Sequence, residues 1–237
     1  MDNKKRFEEY LNHFNKPENQ AMYDFLFERF DVDMPSSAFS IIRYEIRKSL
    51  IFENFQASIT LTNHYMEKFL KVALINSEVN VMMTDTEKFT EQRERGIKLY
   101  NKRNLWDNIV AAKELGIINE AEKAGLKHFK DMFRNTFSHF DHQRLIVEGE
   151  TTLHQYSLDG EGGEISKSTM KNNVLYFDLG LFDYEFAKGN ARNYFIAIDD
   201  IAMRYEFKTS PEMIELIKAD GHDIDRIFNQ FMFERYL

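Results

Sequence analysis

Apolar side chains return at three- and four-residue steps over long stretches of this chain, and that rhythm constrains the fold more than any other feature. Phe39, Ile42, Ile46 and Leu50 form one stripe, and Phe55, Ile59, Thr62, Met66, Phe69 and Ala73 continue at the same period. Such spacing places one apolar face along a helix of 3.6 residues per turn. Composition points the same way: 22 Phe and 11 Tyr stand beside only 3 Pro and 10 Gly in 237 residues. A chain so poor in helix breakers and so rich in bulky packers predicts a mainly α protein built from long helices. The period does not decide between one bent helix and two over residues 37–77.

Boundary signals divide the rest. Residues 4–14 and 18–30 read as two short helices separated by Pro17, and Ser36 or Ser37 can cap the next helix after the turn at 31–35. Residues 76–92 are polar and read as a loop. Asn104 with Asp107 marks a helix start and Gly116 a stop. Asn119 with Glu122 signals another start, leading into the stripe Leu126, Phe129, Phe133, Phe137 and Phe140. Beyond residue 143 the period becomes extended. Residues 144–157 and 173–179 have strand-like composition around the Gly-rich link 159–163, which predicts a small β-hairpin insertion after that helix. Helices resume over about 183–206, Ser210-Pro211 starts another, and residues 224–236 form the last. The expected organisation is an N-terminal helical extension (1–35), a helical core (36–142), a strand-rich insertion (143–180) and C-terminal helices packing on that core (181–237).

Charge and cysteine content remove whole classes of chemistry. With 31 Lys+Arg against 39 Asp+Glu the formal charge is −8, which disfavours a general nucleic-acid coat and leaves room only for local contacts. Zero cysteines exclude disulfides, Cys-ligated zinc, iron–sulfur clusters and Cys nucleophiles. No run of about 18 apolar residues can span a membrane, and the charged opening Met1-Asp2-Asn3-Lys4-Lys5-Arg6 has no apolar leader, so a cytoplasmic protein is expected. No P-loop, GxGxxG, GxSxG or HExxH pattern occurs.

One segment carries candidate chemistry: Arg134-Asn135-Thr136-Phe137-Ser138-His139. On a regular helix Phe133, Phe137 and Phe140 share one face, while Arg134, Asn135, Ser138, His139 and His142 fall opposite with Asp131 and Asp141. Asn135 and His139 are i, i+4 neighbours. Glu67 on the earlier helix is a candidate to pair with Arg134 or to position His139. The basic run Arg93, Arg95, Lys98, Lys102 and Arg103, opposed by Glu94 alone, is a candidate track for a phosphate backbone or an ordinary solvated face. His139, Asp141 and His142 lack a distant fourth ligand, so no metal or other cofactor is assigned. Asp199-Asp200 and the group Asp220, His222, Asp223 and Asp225 read as solvated helix ends.

The Arg-Asn-x3-His pattern at 134–139, with Lys113-Glu114-Leu115-Gly116-Ile117-Ile118 before it and Tyr65-Met66-Glu67-Lys68-Phe69-Leu70 on the earlier helix, resembles the HEPN superfamily over about residues 37–142. That superfamily comprises α-helical domains acting on nucleic acids and marked by an Arg-x4–6-His motif. The resemblance implies a HEPN-like helical bundle and metal-independent RNA cleavage. In that chemistry the ribose 2′-OH attacks the adjacent phosphate, His139 acts as acid or base, Arg134 holds the non-bridging oxygens and Asn135 orients phosphate or imidazole. It further implies a homodimer joining two motifs in one cleft, and a toxin or phage-defence role with a neutralising antitoxin or defence partner. A variant of the family carries a nucleotidylylated Tyr two residues after the His. Asp141 stands there instead. The alternative is a non-catalytic HEPN-like module that binds a nucleotide or a protein partner.

Overall fold

The computed structural model describes residues 37–80, 85–139, 149–156, 165–171 and 181–209, together with Glu8, Asn12, 15–17, Gln20, Ala21 and Leu26. The stripe over 37–77 belongs to two helices, α1 (Ser37–Ile51) and α2 (Phe55–Ser77). They part at Glu53, whose φ of 56° is left-handed and ends the first helix. The chain then folds back, so that Phe39 near the start of α1 meets Tyr65 and Phe69 of α2 with ring centroids 5.7 and 6.4 Å away.

The polar stretch read as a loop is largely helical over its described residues. Helix α2 runs on to Ser77, and α3 spans Thr86–Tyr100 behind Asp85, whose carboxylate accepts the Lys88 N–H. Only Gly96 and Tyr100 of α3 are buried, so this helix has almost no apolar stripe to announce it. Gly96 is where it touches α2. A Cβ there would lie 3.1 Å from both Cα and O of Ile75.

The marked boundaries hold. Asn104 accepts the Asp107 N–H at 2.9 Å and starts α4 (Leu105–Glu114), and Gly116 at φ +70° turns the chain out. Asn119 and Glu122 exchange side-chain-to-backbone bonds of 2.9 and 2.7 Å, a full capping box, at the head of α5 (Glu120–Phe129). The helix expected to run evenly to 142 then changes pitch. Lys130–Arg134 is a π-helical turn in which the Asn135 N–H reaches back five residues to the Lys130 carbonyl, and α6 (Asn135–His139) follows.

Helix α7 (Leu181–Thr209) runs through the same core as α1 and α2, burying Ala187, Ala191, Tyr194, Phe195, Ile198, Ile201 and Ala202. Leu26 is fully buried in that core as well. Each large side chain so enclosed contributes about 1.5–3 kcal/mol. Asp199 and Asp200 are not solvated helix-end groups: both are buried in α7, at 0 and 3 % exposure. A two-stranded antiparallel pair joins β1 (Glu150–Tyr156) to β2 (Ile165–Lys171), with Glu150 opposite Lys171 and Tyr156 opposite Ile165. The second strand therefore precedes the 173–179 stretch, which lies outside the described residues, as do the helices expected over 211–219 and 224–236. No helix among the described residues is long and apolar enough to cross a membrane.

Candidate functional site

Two α2 residues one turn apart, Asn63 and Glu67, face the π turn and begin the site. Beneath the turn, Phe133 stacks on Tyr194 of α7 at 4.4 Å between centroids and 6° between planes, while Phe129 meets the same ring at 5.0 Å. The Tyr194 hydroxyl donates to Asn63 Oδ1 at 2.7 Å, and the Asn63 amide approaches the Phe133 carbonyl at 3.5 Å. Burial, with the Glu67 charge adding to it, pushes the Tyr194 hydroxyl well above its ordinary pKa, so it remains a neutral donor.

The π turn changes the expected wheel. It widens the helix by about one residue per turn, and beyond it Thr136 and Phe137, three and four residues after Phe133 and so on its side, are fully buried and half-buried, the latter against Phe186. Arg134 closes the turn and donates from Nε to Glu67 Oε1 at 2.9 Å. The two side chains keep 28 and 29 % exposure, so this ion pair sits at the rim of the bundle where a solute can meet it. Asn135 Nδ2 lies 3.5 Å from Asp131 Oδ1, and Asp131 also takes an ion pair from Lys130. His139 ends α6, one turn beyond Asn135, and Ser138 precedes it. The structure therefore brings Arg134 and Glu67 together, sets Asn135 against Asp131, and carries the backbone of His139 on from them. Asp141 and His142 lie outside the described residues.

The basic run is elsewhere. Arg93, Arg95 and Lys98 ride the exposed side of α3, and Lys102 and Arg103 the turn after it. Arg95 pairs with Glu78 at 3.7 Å, Arg93 covers the Phe89 ring at 5.9 Å, and Arg103 covers the Tyr100 ring at 4.8 Å. At 1.5 Å per residue, Glu78 is about 16 Å along α2 from Glu67. These cations do not join Arg134. A groove of about 380 Å³ opens beside Ile117, Ile118, Asn119, Arg204 and Lys208, also apart from the motif.

Sequence reasoning missed Asn63 and Tyr194. Tyr194 sits among apolar neighbours of α7 and reads as ordinary core, and Asn63 lies beside the α2 stripe with nothing in the local sequence to mark it as buried. Among the described residues no group of three or more His, Asp and Glu side chains is arranged to hold a metal ion. Comparison with protein-family models, curated proteins and solved structures yields no match.

Proposed function

We propose that the protein is a metal-independent endoribonuclease with a HEPN-like helical bundle, in which the β1–β2 region is an insertion after the motif helix. The observation that carries this reading is the rim-exposed Arg134–Glu67 pair, with Asn135 next in line and His139 one turn on. A carboxylate on Nε fixes the plane of a guanidinium, and a fixed fork suits the two non-bridging oxygens of a phosphodiester. Imidazole titrates near neutrality, so His139 serves as the proton-transfer group for the 2′-OH or for the leaving 5′-oxygen. Asn135 orients the phosphate or the ring, with Ser138 and His142 in support. Arg93, Arg95, Lys98, Lys102 and Arg103 offer phosphate contacts farther along the strand.

With one strong His candidate per chain and two proton transfers to perform, a homodimer facing two motifs across one cleft completes the chemistry. A monomer by light scattering at micromolar concentration, still cleaving RNA, contradicts that part. The cellular setting that goes with the proposal is a cytoplasmic toxin or defence nuclease held in check by a neutralising partner.

The direct test is cleavage of total RNA in EDTA by the wild-type protein and its Arg134→Ala, His139→Ala and His142→Ala variants. The first two substitutions lower the rate by about 10²-fold or more, and the third much less. Cleavage by His139→Ala at the wild-type rate removes the nuclease assignment and leaves a module that binds a nucleotide or a protein partner.

A further inference from the structure

The π turn that ends at Arg134 has no cause in its own sequence: Lys130-Asp131-Met132-Phe133-Arg134 contains neither Pro nor Gly. Two buried polar side chains lie below it. Tyr194 is 1 % exposed and Asn63 2 %, and both bring polar atoms to the underside of the turn. The Tyr194 ring lies flat on Phe133 at 4.4 Å, its hydroxyl is committed to Asn63 Oδ1 at 2.7 Å, and the Asn63 amide faces the Phe133 carbonyl at 3.5 Å. Widening a helix redirects its carbonyls, and a buried amide beside one of them holds the wider form. Asn63 and Glu67 sit one turn apart on α2, so the residue that grips the turn and the residue that grips Arg134 share one helix face.

We infer that Asn63 and Tyr194 are positioning residues: together they clamp the π turn and so set the direction from which Arg134 reaches Glu67 and a bound phosphate. This rests on the ribonuclease reading for its phosphate, but the clamp itself is independent of activity. Neither residue touches substrate. Tyr194 acts through Asn63 and Phe133, and Asn63 through the Phe133 carbonyl.

The readout is the Arg134 Nε–H resonance in 15N-labelled protein, assigned by its loss in Arg134→Lys, together with its hydrogen-exchange rate. Tyr194→Phe keeps the ring stack and removes the hydroxyl. It speeds Arg134 Nε–H exchange by about tenfold, the size of one lost hydrogen bond. Tyr205→Phe is the control: it removes another buried hydroxyl of α7, one that donates to the Ala73 carbonyl at 3.3 Å, and leaves Arg134 unmoved. Should Tyr194→Phe fold poorly, Asn63→Leu combined with Tyr194→Phe removes the hydroxyl and the amide together, at the cost of the bond to the Phe133 carbonyl, and in its folded form also frees Arg134. Faster exchange in the Tyr194 variants but not in the control supports the clamp. Unchanged exchange in a folded Tyr194→Phe or double variant overturns it. Absence of RNA cleavage by the wild type would remove the ribonuclease reading and leave this measurement decisive for the clamp.

Discussion

Arg43 and Asp199 are 156 positions apart in the chain and meet inside the bundle as a two-pronged pair, Nε to Oδ1 at 2.7 Å and Nη2 to Oδ2 at 3.0 Å. The Tyr65 hydroxyl adds a third bond to the same carboxylate at 2.8 Å. Burial works against the Arg43 charge, but Asp199 and the other groups around it more than offset that and hold its pKa above the ordinary value. Nothing in the local sequence separates such a carboxylate from a solvated one, because its partner is named only by the fold. The Arg134–Glu67 pair differs in kind: both residues stood out beforehand, one in a motif and one on a facing helix. Breaking the buried pair is costly. Asp199→Asn removes the charge that Arg43 needs and lowers unfolding free energy by about 3–5 kcal/mol in urea titrations. Replacing Asp199, Arg43 and Tyr65 together by Leu, Met and Phe recovers most of that loss. A triple variant no more stable than Asp199→Asn would show that the cluster stabilises the fold beyond satisfying itself.

Elements were legible where a chemical signal sits at the boundary. Asn104 with Asp107, Asn119 with Glu122, and Gly116 each act through atoms within a few residues, so the sequence contains the whole cause. Helix α3 was not legible, since it lies on the bundle with only one glycine and one tyrosine buried, while its apolar Ile97 and Leu99 stay exposed among charged residues. The π turn was not legible either, because its clamp comes from α2 and α7. Asn119→Ala removes half of the capping box and costs about 1 kcal/mol, read as a lower melting temperature with unchanged helical content. Gly96→Ala forces the α2 backbone at Ile75 to give way and destabilises by about 1–3 kcal/mol, although alanine is the better helix former. A Gly96→Ala protein of raised stability would mean that α3 does not approach α2 so closely.

At the scale of the molecule, one core links Leu26, α1, α2, α4, α5, the π turn and α7, and its polar contents set its response to pH. Burial pushes the Tyr65 and Tyr194 hydroxyls well above their ordinary range and that of Tyr205 to about 12. Their folded pKa values exceed the unfolded one, so the associated stability is intact below about pH 10 and falls as pH rises through the window above it. Thermal melts from pH 8 to 11.5 therefore show a plateau and then a decline of up to about 1.4 kcal/mol per pH unit for each such tyrosine, shallower in Tyr205→Phe. A flat profile across that range contradicts the burial of these hydroxyls. The mainly helical architecture was readable from periodicity alone. The Arg134–Glu67 pairing was readable from residue types, but the π turn that ends at Arg134 and its two buried supports were not, since tertiary contacts create them. The proposed chemistry at Arg134 and His139 is decided by end-group analysis of a short RNA cleaved in EDTA, beside the same strand carrying a single 2′-deoxyribose at the scissile step. The expected products are a 2′,3′-cyclic phosphate and a 5′-hydroxyl from the all-ribose strand, with no cut at the deoxy position. Cleavage that requires Mg²⁺ or Mn²⁺, or that proceeds at the deoxy position, would contradict it.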